Sequence, residues 1–284
     1  MTYQNILTGV DTNEPCQNII DDAATLAAQQ NATHHLINVT PIMPGIMACA
    51  ARLQEEMEQH AKKTLEESLH KGNHKATIEQ RLGRPFSEVI DYANSLNADL
   101  IITGSHGKHG LARLMGSTAN GIIHSARCDV LSFRVDVEQG HIRTLPYQRV
   151  LLATDFHHDS MAQKAKVLCD LFGAELHLIN VIADGAALSA MMIPSLEIEE
   201  AIEQQARQKL TTLADKLSIP DGRQHLYHGI PKVSILDCAN TIEADLIIVG
   251  KHGHHAIQDL IIGSTANALL HYAKQDILVM HVNH

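Results

Sequence analysis

The stretch ADLIITGSHG at residues 98–107 decides the fold, because it recurs as ADLIIVGKHG at residues 244–253. Further along, GSTANGIIHSARCDVL at 116–131 recurs as GSTANALLHYAKQDIL at 263–278. The two pairs have almost the same spacing, so one unit of sequence is repeated along the chain. This repeat predicts two copies of one domain rather than a single large core.

Shorter matches precede these segments in the same order in both halves. The segment ILTGVD, ending at Asp11, matches VLLATD, ending at Asp155. The segment HLINV occurs twice, ending at Val39 and at Val181. A Gly-x-Pro sequence then follows in each half, within LGRP at 82–85 and HGIP at 228–231.

The residues between the two copies have the composition of a linker. The stretch VDVEQGHIRTLPYQ at 135–148 has mixed polarity and contains a glycine and a proline. We therefore predict two domains, at 1–136 and 148–284, with a linker at 137–147.

Short β-branched runs alternate with helical periods in each copy. In the first copy the predicted strands are 3–10, 34–40, 75–82, 100–103 and 130–135. A helix at 51–71 carries an apolar stripe at four-residue steps, formed by Leu53, Met57, Ala61, Leu65 and Leu69. This alternation predicts an α/β fold of two tandem doubly wound five-stranded parallel-sheet domains, Rossmann-like in their winding. Such sheets bind ligands at the carboxyl ends of the strands, where the winding reverses.

The composition limits the class of partner. A formal charge of −10, with five tyrosines and four phenylalanines, argues against a nucleic-acid surface, which needs basic stripes and stacking rings. No apolar run reaches the roughly 18 residues that span a bilayer, and residues 1–11 do not resemble a secretion signal. We therefore expect a cytoplasmic protein with no membrane partner. The five scattered cysteines form no Cys-x-x-Cys pair and are expected to be buried thiols.

A candidate phosphate site follows the fourth strand of the second copy. Gly250 ends the strand, Gly253 follows after two residues, and Gly263 and Ser264 open a helix after nine more. Glycines allow the backbone to approach a ligand, and a helix start offers unpaired N–H groups and a positive dipole end to an anion. The Ser264 hydroxyl can cap the helix or reach a phosphate oxygen.

This Gly-x2-Gly-x9-Gly-Ser pattern, with an aspartate closing the first strand, resembles the ATP-binding universal stress proteins. The resemblance covers nearly the whole chain, twice, and includes the Asn-Val of the second strand and the Gly-x-Pro. It implies a non-catalytic stress-response or regulatory module that binds ATP, with Mg²⁺ as a companion ion. The implied site residues are Asp155, Val181, Gly250, Gly253, Gly263, Ser264 and Thr265, with the aspartate and valine near the adenosine and the glycines around the phosphates.

The first copy has the same residue types in a slightly different spacing. Its counterparts are Asp11, Val39, Gly104, Gly107, Gly116 and Ser117, but only eight residues separate its second and third glycines. One residue fewer is expected to change where the helix amides point, and hydrogen bonds weaken steeply with misalignment. The sequence therefore favours the second copy as the nucleotide site.

Other functions find less support in the sequence. No Walker-type loop, Ser/His/Asp grouping or spaced carboxylate pair predicts an enzyme, although slow ATP hydrolysis could accompany binding. Two histidine groups, at 157–158 and at 252–255, leave open a zinc- or copper-responsive variant, but we predict no metal ligand. A dimerisation scaffold that binds no nucleotide is the main alternative. The last strand of each copy would lie at a sheet edge, so we expect an intramolecular pseudo-dimer that could pair again as a homodimer.

Overall fold

The computed structural model describes residues 3–13, 15–42, 47–106, 116–135, 145–183, 196–251 and 262–281. Within these ranges, the side chains of 47–51, 106 and 196–198 are outside the description. The chain divides into two compact units, Met1–Leu145 and Pro146–His284, called unit 1 and unit 2 below. The division falls inside the segment 137–147, and the exact limits of the linker stay a prediction.

Unit 1 is a five-stranded parallel sheet with helices between the strands. Its strand order is β3-β2-β1-β4-β5, so the winding reverses between β1 and β4. The elements are β1 Asn5–Gly9, α1 Gln17–Gln30, β2 Thr33–Thr40, α2 Met47–Gly72, β3 Thr77–Leu82, α3 Pro85–Leu96, β4 Leu100–His106, α4 Ser117–Ser125 and β5 Asp129–Val135.

Unit 2 repeats this arrangement. Its strand order is β8-β7-β6-β9-β10, all parallel, with the reversal between β6 and β9. The elements are β6 Arg149–Ala153, α5 Asp159–Phe172, β7 Glu175–Ala183, α6 Leu196–Leu217, a short 3-10 turn Asp221–Arg223, β8 Gln224–Gly229, α7 Pro231–Thr241, β9 Leu246–Gly250, α8 Ser264–Tyr272 and β10 Asp276–Met280. The predicted α/β fold with two doubly wound sheets is confirmed.

The predicted stripe of α2 is only partly buried. Ala61, Leu65 and Leu69 are buried and pack toward β2 and α1, whereas the Leu53 side chain is 47% exposed. The 26 residues of α2 extend for about 39 Å, and the eight residues of β2 for only about 26 Å. The first turns of α2 therefore extend beyond the sheet, and the expectation that Leu53 faces it was wrong.

The aspartate of the repeated ADLI segment has a structural role. Asp99 accepts hydrogen bonds from the backbone N–H groups of Gln4 and Asn5, at 2.7 and 3.1 Å. In unit 2, Asp245 accepts the equivalent bonds from Gln148 and Arg149, at 2.7 and 2.9 Å. The same carboxylate thus holds the start of the central strand in both units.

Candidate functional site

The asparagine of the Asn-Val motif joins the carboxyl ends of two neighbouring strands. Asn38 Nδ2 donates to the carbonyl oxygen of Val10 at 2.9 Å, and Asn180 Nδ2 donates to that of Thr154 at 2.8 Å. Each carbonyl belongs to the residue before the motif aspartate. The asparagine therefore fixes the point at which the chain leaves the central strand.

The motif aspartates lie directly after these points. Asp11 Oδ1 accepts hydrogen bonds from the backbone N–H of Asn13 at 3.0 Å and from its Nδ2 at 2.9 Å. Asp155 Oδ1 accepts one from the backbone N–H of His157 at 3.1 Å. Each carboxylate thus uses one oxygen to fold its own loop, which leaves the second oxygen for a ligand.

Helices α4 and α8 begin with the same geometry. Gly116 has φ −59° and ψ 148°, and Gly263 has φ −63° and ψ 150°. Because these glycines are the N-caps, no side chain caps the first amides of either helix. The serines that follow occupy the first helical position. Of the two roles expected for the Ser264 hydroxyl, capping the helix is not observed, and reaching a phosphate oxygen stays a prediction. Both starts leave first-turn N–H groups for a ligand.

The glycine that requires a left-handed backbone is in the Gly-x-Pro motif. Gly83 has φ +149° and Gly229 has φ +124°, whereas the N-cap glycines have negative φ. A Cβ on Gly83 would lie 2.7 Å from the Glu88 carboxylate. The motif therefore makes a tight turn from β3 into α3. The N-cap glycines are not needed for their dihedral angles; they leave room for a ligand beside the helix start.

A cavity of about 260 Å³ lies at the carboxyl edge of the sheet in unit 1. It is located where β1 and β4 diverge, the position expected for a ligand in a doubly wound sheet. The lining includes five residues that the sequence singled out: Asp11, Val39, Gly104, Gly116 and Ser117. Gly107 lies outside the described residues.

Sequence reasoning missed the apolar part of this lining. Pro41 follows β2, Pro85 and Val89 belong to α3, and Ile19 and Ile122 belong to α1 and α4. The proline of the Gly-x-Pro motif was a signal for one wall, since it starts the helix beside the cavity. Among the described lining residues Asp11 is the single charged side chain. The described walls thus suit a largely flat apolar group, with polar contacts concentrated at the helix start.

In unit 2 the predicted residues occupy equivalent places along the chain. Asp155 follows β6, Val181 lies in β7, and Gly250 is the last residue of β9. The remaining described positions, Gly263, Ser264 and Thr265, open α8, and Gly253 lies outside the described residues.

Lys251 connects the end of β9 to the start of α8. Its carbonyl accepts a hydrogen bond from the N–H of Gly263 at 2.8 Å, and its own N–H donates to Met280 at 2.9 Å. Its side chain is almost fully buried. Lys251 was not among the predicted site residues, although its place directly after Gly250 could have indicated it.

A sequence profile of the universal stress protein family matches residues 2–134 and, a second time, residues 146–281. The chain belongs to the universal stress protein family. The double match confirms the tandem arrangement inferred from the repeat.

The relatives include proteins that align with one copy and proteins that align with the whole chain. Universal stress protein A homolog 1 of Coxiella burnetii is 38% identical over 139 residues, which are 46% of this chain and 96% of that protein. A universal stress protein of Mycolicibacterium smegmatis is 25% identical over 297 aligned positions, covering 98% of this chain and 97% of the relative. The crystal structure of a universal stress protein from Archaeoglobus fulgidus has a TM-score of 0.71 at 20% identity, covering 99% of this chain and 97% of the other. That structural likeness supports the fold.

The histidine groups give the universal stress protein no complete metal site in the described part of the chain. There, no three histidine, cysteine, aspartate or glutamate side chains are arranged to hold a metal ion. His157 and His158 lie between Asp155 and α5, and residues 252–255 are outside the description. The metal-responsive alternative therefore stays untested.

The described cysteines are mostly inaccessible. Cys16, Cys169 and Cys238 are buried and Cys128 is partly exposed; all four are free thiols. Burial raises the pKa of Cys169 to about 12 and that of Cys238 to about 11. These thiols are poor nucleophiles. No helix in the described ranges combines the length and the apolar character needed to cross a membrane.

Proposed function

We propose that this universal stress protein binds an adenine nucleotide, ATP with Mg²⁺, at the carboxyl edge of its sheets. In this role it serves as a non-catalytic stress-response or regulatory module. The observation that carries the proposal is the unit 1 cavity, since it brings Asp11, Val39 and Gly104 next to the start of α4.

The cavity walls match the parts of a nucleotide. Val39, Ile37 and Val89 offer apolar contact to a base, and Asp11 can accept hydrogen bonds from ribose hydroxyls or hold a phosphate-bound Mg²⁺. The start of α4 offers uncapped N–H groups and about half a positive charge to phosphate oxygens. The hydroxyl of Ser117 lies at the same helix start and can donate to a phosphate.

The equal helix starts lead us to propose a site in each unit. The sequence favoured the second copy as the nucleotide site because the loop between its second and third glycines is one residue longer. The N-cap dihedrals nevertheless agree within a few degrees, and the two helices have the same length. Asp155, Val181 and Gly263 would then hold a second nucleotide in the way that Asp11, Val39 and Gly116 hold the first.

We expect binding without turnover because the described cavity residues include few groups that could transfer a proton. Asp11 is the one titratable carboxylate among the described cavity residues, and the loop amide of Asn13 already bonds to it. A single carboxylate that already accepts hydrogen bonds from its own loop offers the site little general-base capacity. Slow hydrolysis by a trapped water is compatible with this site.

Calorimetric titration of nucleotide-free protein with MgATP, and with MgGTP as the matched ligand, tests the proposal. We expect ATP to bind and GTP not to bind, and we expect ATP to raise the melting temperature. At an ATP concentration 100 times Kd, each site should add about 2.7 kcal/mol to the free energy of unfolding. Absence of ATP binding would overturn the proposal and favour the scaffold. Turnover on the order of 10 s⁻¹ would contradict the non-catalytic role.

A further inference from the structure

Two histidines on neighbouring strands of unit 2 contact each other through their ring nitrogens. His177 Nδ1 on β7 lies 3.1 Å from His225 Nε2 on β8. The ring planes are 10° apart and the ring centroids 5.4 Å apart. The centroid distance equals the sum of the N–N distance and the two distances from ring centroid to nitrogen. The two rings therefore lie end to end in nearly the same plane. One N–H fits between the two nitrogens, and a second does not.

His177 is buried and His225 is partly buried, and the carboxylate near the pair already has a partner. His177 is 8% exposed, and its Nε2 has no hydrogen-bond partner among the described residues. The nearest carboxylate, Glu175, has its Oε2 3.8 Å from this nitrogen and is already paired with Arg223. A proton added to the pair would therefore sit beside a second imidazole and near a guanidinium.

Among the described residues of the covering helix α7, Asp237 interacts with Tyr227, and it is not among the groups that shift the pKa of either histidine. Tyr227 lies two residues beyond His225 on the same face of β8, and it interacts with Cys238 and Asp237 of α7. Residues of the opposite face contact α6 instead, as the 3.4 Å contact between His228 and Glu203 shows. The charged residues of α5 and α6 therefore lie across the sheet from the two imidazoles.

We propose that the His177–His225 pair is an acid-sensitive latch that holds β8 on the sheet of unit 2 and releases it as pH falls. The strand β8 is the last in the order of unit 2, so its attachment depends on β7 and the covering helices. When both imidazoles are protonated, two N–H groups and two like charges face each other in a partly buried place, which is unfavourable. In the open state each imidazole is hydrated and takes up a proton near its ordinary pKa of about 6.5.

The direction of the pH effect follows from proton binding. Burial lowers the pKa of both histidines; His225 and Arg223 lower that of His177 further, and Glu175 offsets only part of this lowering. The open state then binds more protons than the closed state below about pH 6.5, so acid favours opening. The closed state has its full stability above that pH.

Unit 1 contains a natural comparison. His35 is the counterpart of His177 in the repeat, and Glu79 faces Ile37 as His225 faces Ile179. Burial alone lowers the pKa of His35, and strand β3 carries no histidine that could face it, whereas His225 lowers the pKa of His177 further. The strand β3 of unit 1 should therefore respond less to acid than β8.

Hydrogen exchange of the full chain at pH 7.5 and 5.0, corrected for intrinsic exchange rates, tests the latch. We expect protection factors in β8 to fall on the order of tenfold at pH 5.0, and those in β3 to fall less. His225→Gln keeps a hydrogen-bonding group but does not titrate, so it should remove most of the acid response. His228→Gln, on the same strand but facing Glu203, should retain it.

Two results would overturn the latch: equal β8 protection at both pH values, or the same acid response in His225→Gln as in the wild type. If His225→Gln does not fold, imidazole NMR titration of the wild type decides instead. Titration of His177 and His225 clearly below the exposed His70 supports the latch. Titration at the same pH as His70 refutes it.

Discussion

The N-cap glycines Gly116 and Gly263 provide the most direct test of binding at the scale of single residues. A valine at either position can adopt the observed dihedrals, but its side chain would lie over the first helix amides. We expect Gly116→Val and Gly263→Val each to weaken one of two ATP sites at least about tenfold, or 1.4 kcal/mol. Isothermal titration calorimetry measures the number of sites and their affinities.

The matched control for these variants is Gly222→Val. Nothing lies within 4 Å of a Cβ at Gly222, which is in the 3-10 turn before β8 and is not a predicted site residue. ATP binding by the Gly222→Val variant should be unchanged. One site per chain, removed by Gly263→Val alone, would instead show that loop length decides which copy binds.

A buried tyrosine–aspartate bond recurs in both units and can be tested in unit 2. Tyr147 donates to Asp276 Oδ2 at 3.0 Å, as Tyr3 does to Asp129 Oδ2 at 2.8 Å. Tyr147→Phe removes a charge-assisted bond to a fully buried carboxylate and should lower the free energy of unfolding by about 1–3 kcal/mol. Urea denaturation measures this.

Tyr272→Phe is the control for that change, since the residue is 68% exposed. Its effect should stay within about 0.5 kcal/mol. Equal effects of the two substitutions would mean that the buried bond contributes nothing net.

His34 should make the stability of the protein depend on pH. Burial, with smaller effects of His35 and His74, lowers the pKa of His34 to about 4, and Thr8 Oγ1 lies 2.9 Å from its Nε2. The unfolded chain binds a proton near pH 6.5 and the folded one does not, so stability falls as pH drops from about 6.5 toward 4. The full effect is about 3 kcal/mol.

Urea denaturation of His34→Gln at pH 7.5 and 5.0 checks this dependence. The variant should lose less stability on acidification than the wild type. His70→Gln, at the exposed end of α2, serves as the control and should behave as the wild type does. An unchanged pH dependence in His34→Gln would show that other groups cause it.

At the scale of elements, helix α2 has one part of its apolar stripe packed against the unit and another part exposed to solvent. Leu65 is fully buried between the sheet and α1, while Leu53 lies three turns earlier and is half exposed. Leu65→Ala should lower the free energy of unfolding by about 2–5 kcal/mol.

Leu53→Ala uses the same chemistry and should cost about 1 kcal/mol, since about half of this residue stays exposed to water. Thermal or urea denaturation of the two variants compares them directly. Similar losses would show that the first turns of α2 are also packed.

At the scale of the whole molecule, the repeat predicts a pseudo-two-fold axis through the last strands of the two units. We expect a crystal structure to superpose 1–136 on 148–284 by a rotation of about 180°, because two copies of one domain tend to pair through one shared surface. A rotation far from that value would contradict the internal pseudo-dimer. Analytical ultracentrifugation of the same preparation tests whether the chain also pairs as a homodimer.

The sequence by itself determined the features that depend on local chemistry. The repeated segments required two domains of one kind, and alternating β-branched runs and helical periods required parallel sheets with a ligand edge. Asp11 and Gly116 could be placed at the ligand edge in advance because a residue that follows a parallel strand, or opens the next helix, lies at that edge. Their part in binding stays a prediction. The family could be recognised because the same motif residues recur in both copies at nearly the same spacing.

Only the tertiary structure decided what depends on residues distant in the chain. It showed that Asp99 holds the start of β1, that Leu53 extends past the sheet, and that Gly83 rather than Gly116 requires a positive φ. It also brought His177 against His225, which are 48 residues apart. No local pattern contains these relations, because strand register and helix length relative to the sheet determine which side chains meet.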